Sequence, residues 1–281
     1  SVGVDKTANA LVRTHKPKVL FTDALTPTPD RDSGSIDIYW YMRIFLELGY
    51  EVTFLPVQDL KHAGRYTTAL QMLGIRCPLE VDVGQPWMFL RDFGPEFDLI
   101  IAYRASSACY VIDPIREFAP QARVVFDTVD LHFLREQRAA ELSGSAEAME
   151  HALRTRAEEL KIMGLSDATI LLSSLEYDYI GEILPEIRRY LISIVRDVPG
   201  VGAPAAGRRG AMFVGGFKHS PNTDAALFLC SEIWPRVRSR DPMAELSIIG
   251  ADVSPEIQAL HDPAQGVNVV GFVEDLEPFY Q

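Results

Sequence analysis

The sequence predicts an α/β protein with two doubly wound parallel-sheet domains facing a cleft, the second of them incomplete. Three observations carry this. From Lys18 onward, short and nearly continuous apolar runs alternate with amphipathic segments, as in a parallel sheet covered on both faces. A glycine- and proline-rich stretch, Pro199 to Gly207 followed by Arg208 and Arg209, then separates two such series. After it, only three strand-like runs fit before the chain stops at Gln281, where a doubly wound domain usually has about five or six. The expected organisation is a tail over 1–17, a first domain over 18–198, a linker over 199–210 and a partial second domain over 211–281.

Residues 1–17 are polar and aperiodic, without the apolar centre of a signal peptide. Lys18 to Asp23 reads as the first strand, bounded by the loop Thr26-Pro-Thr-Pro29. Ser35 to Leu48 carries Ile36, Tyr39, Trp40, Ile44 and Leu48 at helical spacing and ends at Gly49. Glu51 to Leu55 is the next strand, Tyr66 to Leu73 a helix closed by Gly74, and Ile75 to Cys77 a short strand. A helix over Trp87 to Phe93, a strand over Phe97 to Tyr103, a helix over Tyr110 to Phe118 and a strand over Ala122 to Asp127 continue the alternation.

Leu134 to Leu165 is long, charged and rich in helix formers, and Ser143-Gly-Ser145 divides it into two helices crossing the outside of the first domain. Ala168 to Leu172 is a strand, and Ser173-x-x-Glu176 forms a capping box opening a helix to Ile183, a role that needs no function. Tyr190 to Val195 is the last strand of this half. Beyond the linker come a strand (Ala211 to Gly215), a helix over Asn222 to Arg238 bent or started again near Pro235, and a strand (Glu245 to Ile249). A short helix (Pro255 to Leu260), a strand (Val267 to Val270) and the start of a helix (Glu274 to Tyr280) complete the chain.

Composition narrows the function. The 281 residues are 47% hydrophobic and 23% charged, the balance of a folded enzyme. A net charge of −12, with no lysine-rich run, speaks against a nucleic-acid partner. Cys77, Cys109 and Cys230 lie far apart, form no CxxC pair, and read as reduced thiols of a cytosolic protein. No apolar run reaches the roughly 20 residues that span a bilayer, so the expected location is cytoplasmic, at most peripheral to a membrane.

Sites of doubly wound sheets lie where strands end and helices begin. Three such loops carry chemistry. Asp30-Arg-Asp-Ser-Gly-Ser35 offers Gly34 for close backbone approach and the helix N-terminus for an anion; Ser33 or Ser35 also suits a plain capped turn. Gly215-Gly-Phe-Lys-His-Ser-Pro-Asn222 pairs Gly215 and Gly216, beside which a diphosphate fits, with Lys218 and His219 as donors; Ser220 or Asn222 equally serves as a helix cap. Asp127-Thr-Val-Asp-Leu-His132 puts Asp130 and His132 at a third strand end, where a hydroxyl-contacting group belongs, although a lone histidine is more often structural. The dinucleotide GxGxxG and the GxxxxGK[ST] loop are both absent, which argues against a dehydrogenase.

With these loops in view, the chain resembles glycosyltransferase family 4, the retaining GT-B enzymes. Thr28 to Ser35, Arg123 to Phe133 and Phe213 to Ala225 carry the resemblance, supported by Asp167 to Glu176, Ile248-Ile-Gly250 and Val270 to Leu276. It covers nearly everything after Lys18. The resemblance implies two Rossmann-like domains, with acceptor contacts from the first and donor contacts from the second. Gly34 and Ser35 match the loop facing the donor phosphates, and His132, with Asp130 beside it, falls near the transferred sugar. Gly215 and Gly216 match the diphosphate loop, and Gly250 with Gly271 to Leu276, including Phe272 and Leu276, the base-pocket side.

Two departures stand out. Where many members place arginine and lysine, this chain has Gly216 and Asn222, leaving Lys218 or His219 to supply the charge. The glutamate segment that holds the donor sugar in the family is expected beyond Gln281. Asp30-Arg-Asp32 matches the DxD pattern of metal-dependent sugar transferases, but the pattern is commonplace in polar loops and no metal is expected.

The resemblance implies transfer of a sugar, with retention, from a nucleoside-diphosphate sugar to a glycan or lipid-linked acceptor in bacterial surface polysaccharide synthesis. The donor is a substrate, and no cofactor is implied. A non-catalytic sugar-nucleotide or glycan-binding fragment and a GT-B sugar-nucleotide epimerase are the alternatives. An incomplete second sheet also leads to the expectation of a homodimer through 211–281, or of weak order there.

Overall fold

The structure, a computed structural model, describes residues 16–196, 200, 204, 206 and 208–280. Most of the expected tail and linker, together with Gln281, lies outside the described residues. The chain forms two compact units. One takes in residues 16–28 and 34–196, the other residues 29–33 and the described residues from 200 onward.

The first unit is a six-stranded parallel sheet in the order β2-β1-β3-β4-β5-β6. Its strands are β1 (Lys18–Asp23), β2 (Glu51–Pro56), β3 (Leu99–Tyr103), β4 (Arg123–Asp127), β5 (Ala168–Leu171) and β6 (Arg189–Leu191). The continuous apolar runs are explained by two cores, one on each face. Leu20, Leu55, Ile100, Val124, Phe126 and Leu171 point into one core; Val19, Phe21, Phe54, Ile101 and Tyr103 point into the other. Alternate side chains of one strand thus enter different cores, so both registers must be apolar.

Helices cover both faces. They are α1 (Ser33–Glu47), α2 (Arg65–Met72), α3 (Glu80–Val83), α4 (Pro86–Phe93), α5 (Ala105–Phe118), α6 (His132–Ser143), α7 (Ala146–Leu165) and α8 (Ser174–Ile183). Helix α1 stops at Gly49 (φ +87°), a backbone angle that glycine tolerates at little cost. The α6–α7 break falls at Gly144 in the left-handed region, with Ser145 Oγ accepting from Ala148 N–H at 3.2 Å.

Three expectations need correction. Ile75 to Cys77 is not a strand; only Arg76 bridges to Thr53, and Pro78 next to it has no N–H to extend the ladder. Helix α5 starts at Ala105, five residues before the predicted Tyr110, because Ser106 and Ser107 are helical despite their turn-like composition. The strand predicted over Tyr190 to Val195 is the shorter β6; Val195 N–H turns instead to the Asp37 carboxylate at 2.8 Å.

In this sheet β1 lies between β2 and β3, and the chain leaves β2 to re-enter beyond β1. The connections at the ends of β1 and β3 therefore diverge, opening the crevice where ligands of such sheets sit.

The second unit holds a three-stranded parallel sheet, β7-β8-β9, of Ala211–Val214, Leu246–Ile249 and Val267–Gly271. Helices α9 (Ser220–Phe228) and α10 (Trp234–Arg240) are joined by a wider π turn, Leu229–Ile233; α11 (Pro255–Gln258) and α12 (Glu277–Tyr280) follow. The irregularity expected near Pro235 is this π turn: proline has no N–H for the preceding turn, and its ring crowds the carbonyl there. Phe217, Ala226, Trp234, Leu246, Ile248, Ile257 and Val267 make its core.

Candidate functional site

The loop after β4 is tied to its neighbours on both sides by hydrogen bonds. Asp127, fully buried at the strand end, accepts from Val129 N–H at 3.1 Å and from Arg104 N–H through its backbone carbonyl at 2.9 Å. Val129 has φ +63°, a conformation that costs a β-branched residue energy, and the Asp127 bond supports it. Thr128 donates its N–H (3.2 Å) and its hydroxyl (3.1 Å) to the carbonyl of Ile170 on β5.

Helix α6 begins with His132, and the residue before it, Leu131, gives no side-chain cap. The first amides are satisfied from elsewhere. Glu176 on α8 accepts from Leu131 N–H at 3.2 Å. Glu159 on α7 accepts from His132 N–H at 3.0 Å and from Phe133 N–H at 3.2 Å. The capping box read from the sequence is thus half of one: Ser173 Oγ accepts from Glu176 N–H at 3.2 Å, but the Glu176 carboxylate takes the Ser173 hydroxyl (2.9 Å) and Leu131 N–H.

The structure brings the predicted pair together: His132 Nε2 lies 3.2 Å from Asp130 Oδ1, and Arg135 bonds the other Asp130 oxygen. Burial would raise the Asp130 carboxyl, but the hydrogen bond and charge of His132, with Arg135, hold it below the usual carboxylate range. The neighbouring acids go the other way. Burial pushes Asp127 up to about 7, with Asp37 and Asp23 adding to it against the Val129 N–H and Arg104. Burial likewise pushes Glu159 up to about 7 against the amides it accepts from.

At the ends of β1 and β3, Gly34 and Ser35 are buried in the first turn of α1. A β-carbon on Gly34 would run into the Arg104 guanidinium, so glycine is required for the arginine to lie there. Arg104 itself has φ +62°, and its Nε sits 3.4 Å from Asp23 Oδ2. Beneath, Tyr103 donates its hydroxyl to Asp37 at 2.9 Å, while Arg196 lies 3.3 Å from the other Asp37 oxygen. This buried group of Asp23, Asp37, Tyr103, Arg104 and Asp127 was not legible in the sequence, although Asp37 interrupts the apolar face of α1.

The second unit's candidates form one loop cluster. A β-carbon on Gly250 would overlap the carbonyl of Gly215, so the loops after β7 and β8 touch through their backbones. Gly250 N–H donates to Gly271 O at 2.9 Å, joining the loop after β9. His219 precedes α9 without a side-chain capping bond, and Asn222 spends its amide on Gly216 O at 2.9 Å. Neither Ser220 nor Asn222 caps the helix as the composition suggested, since Ser220 is already its first residue. Lys218 is 81% exposed and lies 3.3 Å from Asp252. Phe272 is half exposed and Leu276 half-buried.

Among the described residues, no three His, Cys, Asp or Glu side chains converge as metal ligands would, and no helix is long and apolar enough to cross a membrane. The three cysteines are free and half-buried, and burial pushes the Cys77 thiol up to about 12.

Residues 208–281 match the family model described as "Glycosyl transferases group 1". Among solved structures, the chain is similar to a UDP-glucosyltransferase from Polygonum tinctorium capable of glucosylating indoxyl. The identity is 12% and the TM-score 0.55, over 92% of this chain and 72% of that one. Phytolacca americana UGT2, complexed with UDP-2fluoro-glucose and pterostilbene, aligns at 9% identity and TM-score 0.52, over 91% and 71% of the two chains. A Thermobaculum terrenum O-GlcNAc transferase mutant aligns at 10% identity and TM-score 0.51, over 92% of this chain and 45% of that one. Comparison with curated protein sequences finds no match. At these identities the likeness speaks for the fold, which is α/β with Rossmann-like parallel sheets, as in GT-B proteins.

Proposed function

We propose that this chain is a glycosyltransferase that moves a sugar from a nucleoside-diphosphate sugar to a hydroxyl of a glycan or lipid-linked acceptor, with retention, in surface polysaccharide synthesis. One observation carries the reading. The strand–glycine loop–helix turn of β7, Gly215, Gly216 and α9 lies within the stretch that matches glycosyl transferases group 1.

In this reading the second unit binds the donor. Gly216 and the positive dipole end of α9 take the diphosphate, and Lys218 leaves its exposed contact with Asp252 to neutralise the charge that grows on the leaving group. Gly250, Phe272 and Leu276 line the base side. For the first unit, the family resemblance assigns Gly34 and Ser35 to the donor phosphates and His132 to the sugar. With Nε2 held against Asp130, the other ring nitrogen, Nδ1, is the one left to meet a sugar hydroxyl. The acceptor hydroxyl attacks the anomeric carbon on the face that the diphosphate leaves. The bond from that carbon to the diphosphate breaks as the new glycosidic bond forms, and the hydroxyl proton passes to the leaving phosphate. No protein nucleophile, metal or organic cofactor is used in this scheme.

The test is calorimetric titration with UDP, GDP, dTDP and their common sugar conjugates, followed by transfer assays with glycan acceptors. Selective binding of one nucleotide and acceptor-dependent release of its diphosphate support the reading. Release of an altered sugar nucleotide without an acceptor would point to an epimerase. Absence of binding to every nucleotide would sink the donor assignment.

A further inference from the structure

We infer that Glu159 is a positioning residue for His132: from α7 it holds the first turn of α6 so that the imidazole meets the donor sugar. The inference rests on the reading of His132 as the sugar contact.

Helix α7 is solvated along most of its length, and its other acids, Glu147, Glu150 and Glu158, are exposed. Glu159 is 0% exposed. Both of its oxygens are used on consecutive amides, Oε1 on His132 N–H and Oε2 on Phe133 N–H. With Glu176 on Leu131 N–H, three successive amides around His132 end on carboxylates brought from two other helices. Capping alone does not call for this. A serine or aspartate at position 131 would reach Phe133 N–H locally but not the amides of residues 131 and 132, and Leu131 and Phe133 are both buried. Burying a carboxylate is costly unless every acceptor is used, and here both oxygens go to backbone amides, one of them that of His132, whose side chain lies against Asp130. The main chain of His132 is thereby fixed by Glu159 and its ring by Asp130, which leaves one imidazole nitrogen aimed by two independent constraints.

The experiment compares the affinity of the sugar conjugate with that of the bare nucleoside diphosphate, by calorimetry, for whichever of UDP, GDP or dTDP binds. Glucose, N-acetylglucosamine and mannose conjugates serve as probes. The ratio of the two affinities isolates the sugar contact from the nucleotide contact. Glu159→Gln is expected to lower that ratio about tenfold, the factor one hydrogen bond carries, while affinity for the bare diphosphate stays at the parent value. His132→Ala should lower the ratio equally, and the double variant no further than either single one. Glu159→Asp, which keeps the charge on a shorter arm, is expected to fall between, and its ratio decides the matter where Glu159→Gln does not fold.

An unchanged ratio in the Glu159 variants, with His132→Ala still lowering it, overturns the inference alone. Equal losses for conjugate and bare diphosphate overturn it too, since they would mark a purely structural residue. An unchanged ratio in His132→Ala removes the sugar contact itself, and with it the inference. A parent chain that binds none of the nucleotides overturns the donor assignment and the inference together.

Discussion

The carbonyl of Gly215 occupies the space that a β-carbon on Gly250 would need. The two loops at the ends of β7 and β8 therefore meet backbone to backbone, and neither can shift without disturbing the β-ladder between them. Gly250→Ala is expected to destabilise the second unit by roughly 1–3 kcal/mol, the range for forced overpacking. Hydrogen exchange of the amides in β7, β8 and β9 should speed up while β1 to β5 keep the parent's protection. Uniform exchange across both units would show that the contact is looser than described.

Asp127 and Glu159 set a pH dependence whose sign follows from their shifts. Both have folded-state values of about 7, above the ordinary unfolded values of about 4. The folded state then binds more protons than the unfolded state between these limits, so their contribution favours folding below about 4 and is lost as pH rises through about 7. The melting temperature should fall between pH 5 and pH 8, and Asp127→Asn should flatten that slope. Asp130 and Asp167, held below the ordinary range, act in the opposite sense: their contribution is present above the ordinary carboxylate value and is lost as pH falls from there through their lowered values. A slope identical in parent and Asp127→Asn would contradict the assignment to Asp127.

Tyr103 and Asp37 form a buried hydrogen bond of 2.9 Å under the first candidate loop. Burial is the main cause that raises the Tyr103 hydroxyl far above its usual range, so it stays a donor at any ordinary pH. Tyr103→Phe would leave one Asp37 oxygen without that donor and should cost about 1–3 kcal/mol. Chemical denaturation should record this as a lower midpoint with an unchanged slope. A variant as stable as the parent would show that Arg196 and Val195 satisfy Asp37 on their own.

Lys218 tests binding without touching stability. Its pair with Asp252 is mostly exposed, a class of ion pair worth little to folding. Lys218→Ala should keep the parent's melting temperature and weaken nucleoside-diphosphate affinity about tenfold, in proportion to one charged hydrogen bond. The loss should shrink in high salt. Unchanged affinity would assign the phosphate charge to another group.

Much of the architecture was legible because it is written in local patterns. Lys18 to Asp23 and Phe97 to Tyr103 could hardly be anything but buried strands, and Gly49, Gly74 and Gly144 mark helix ends that the backbone angles bear out. What escaped was long-range. Glu159 and His132 are 27 residues apart, and Glu176 and Leu131 are 45 apart. No periodicity within α7 distinguishes its one buried acid from the exposed ones, because the helix stripe depends on which partner packs against it. Arg76 failed as a strand for a related reason: an isolated run cannot say how many neighbours its ladder will find. Arg104 was missed because a positive backbone angle at an arginine has no signature in composition.

The π turn before Pro235 means that the helix from Ser220 to Arg240 carries one residue more than its register needs. Trp234 still lands in the core, with its indole N–H on Gln265 O at 2.9 Å, while Ile233 beside it is 43% exposed. The helix therefore tolerates a deletion. Removing Ser231 should close the wide turn into ordinary α-helix, keep Trp234 seated, and leave the unfolding midpoint near the parent's. A single deletion inside α7 has no such slack to consume, and it would swing Ile162 and Met163 away from the sheet.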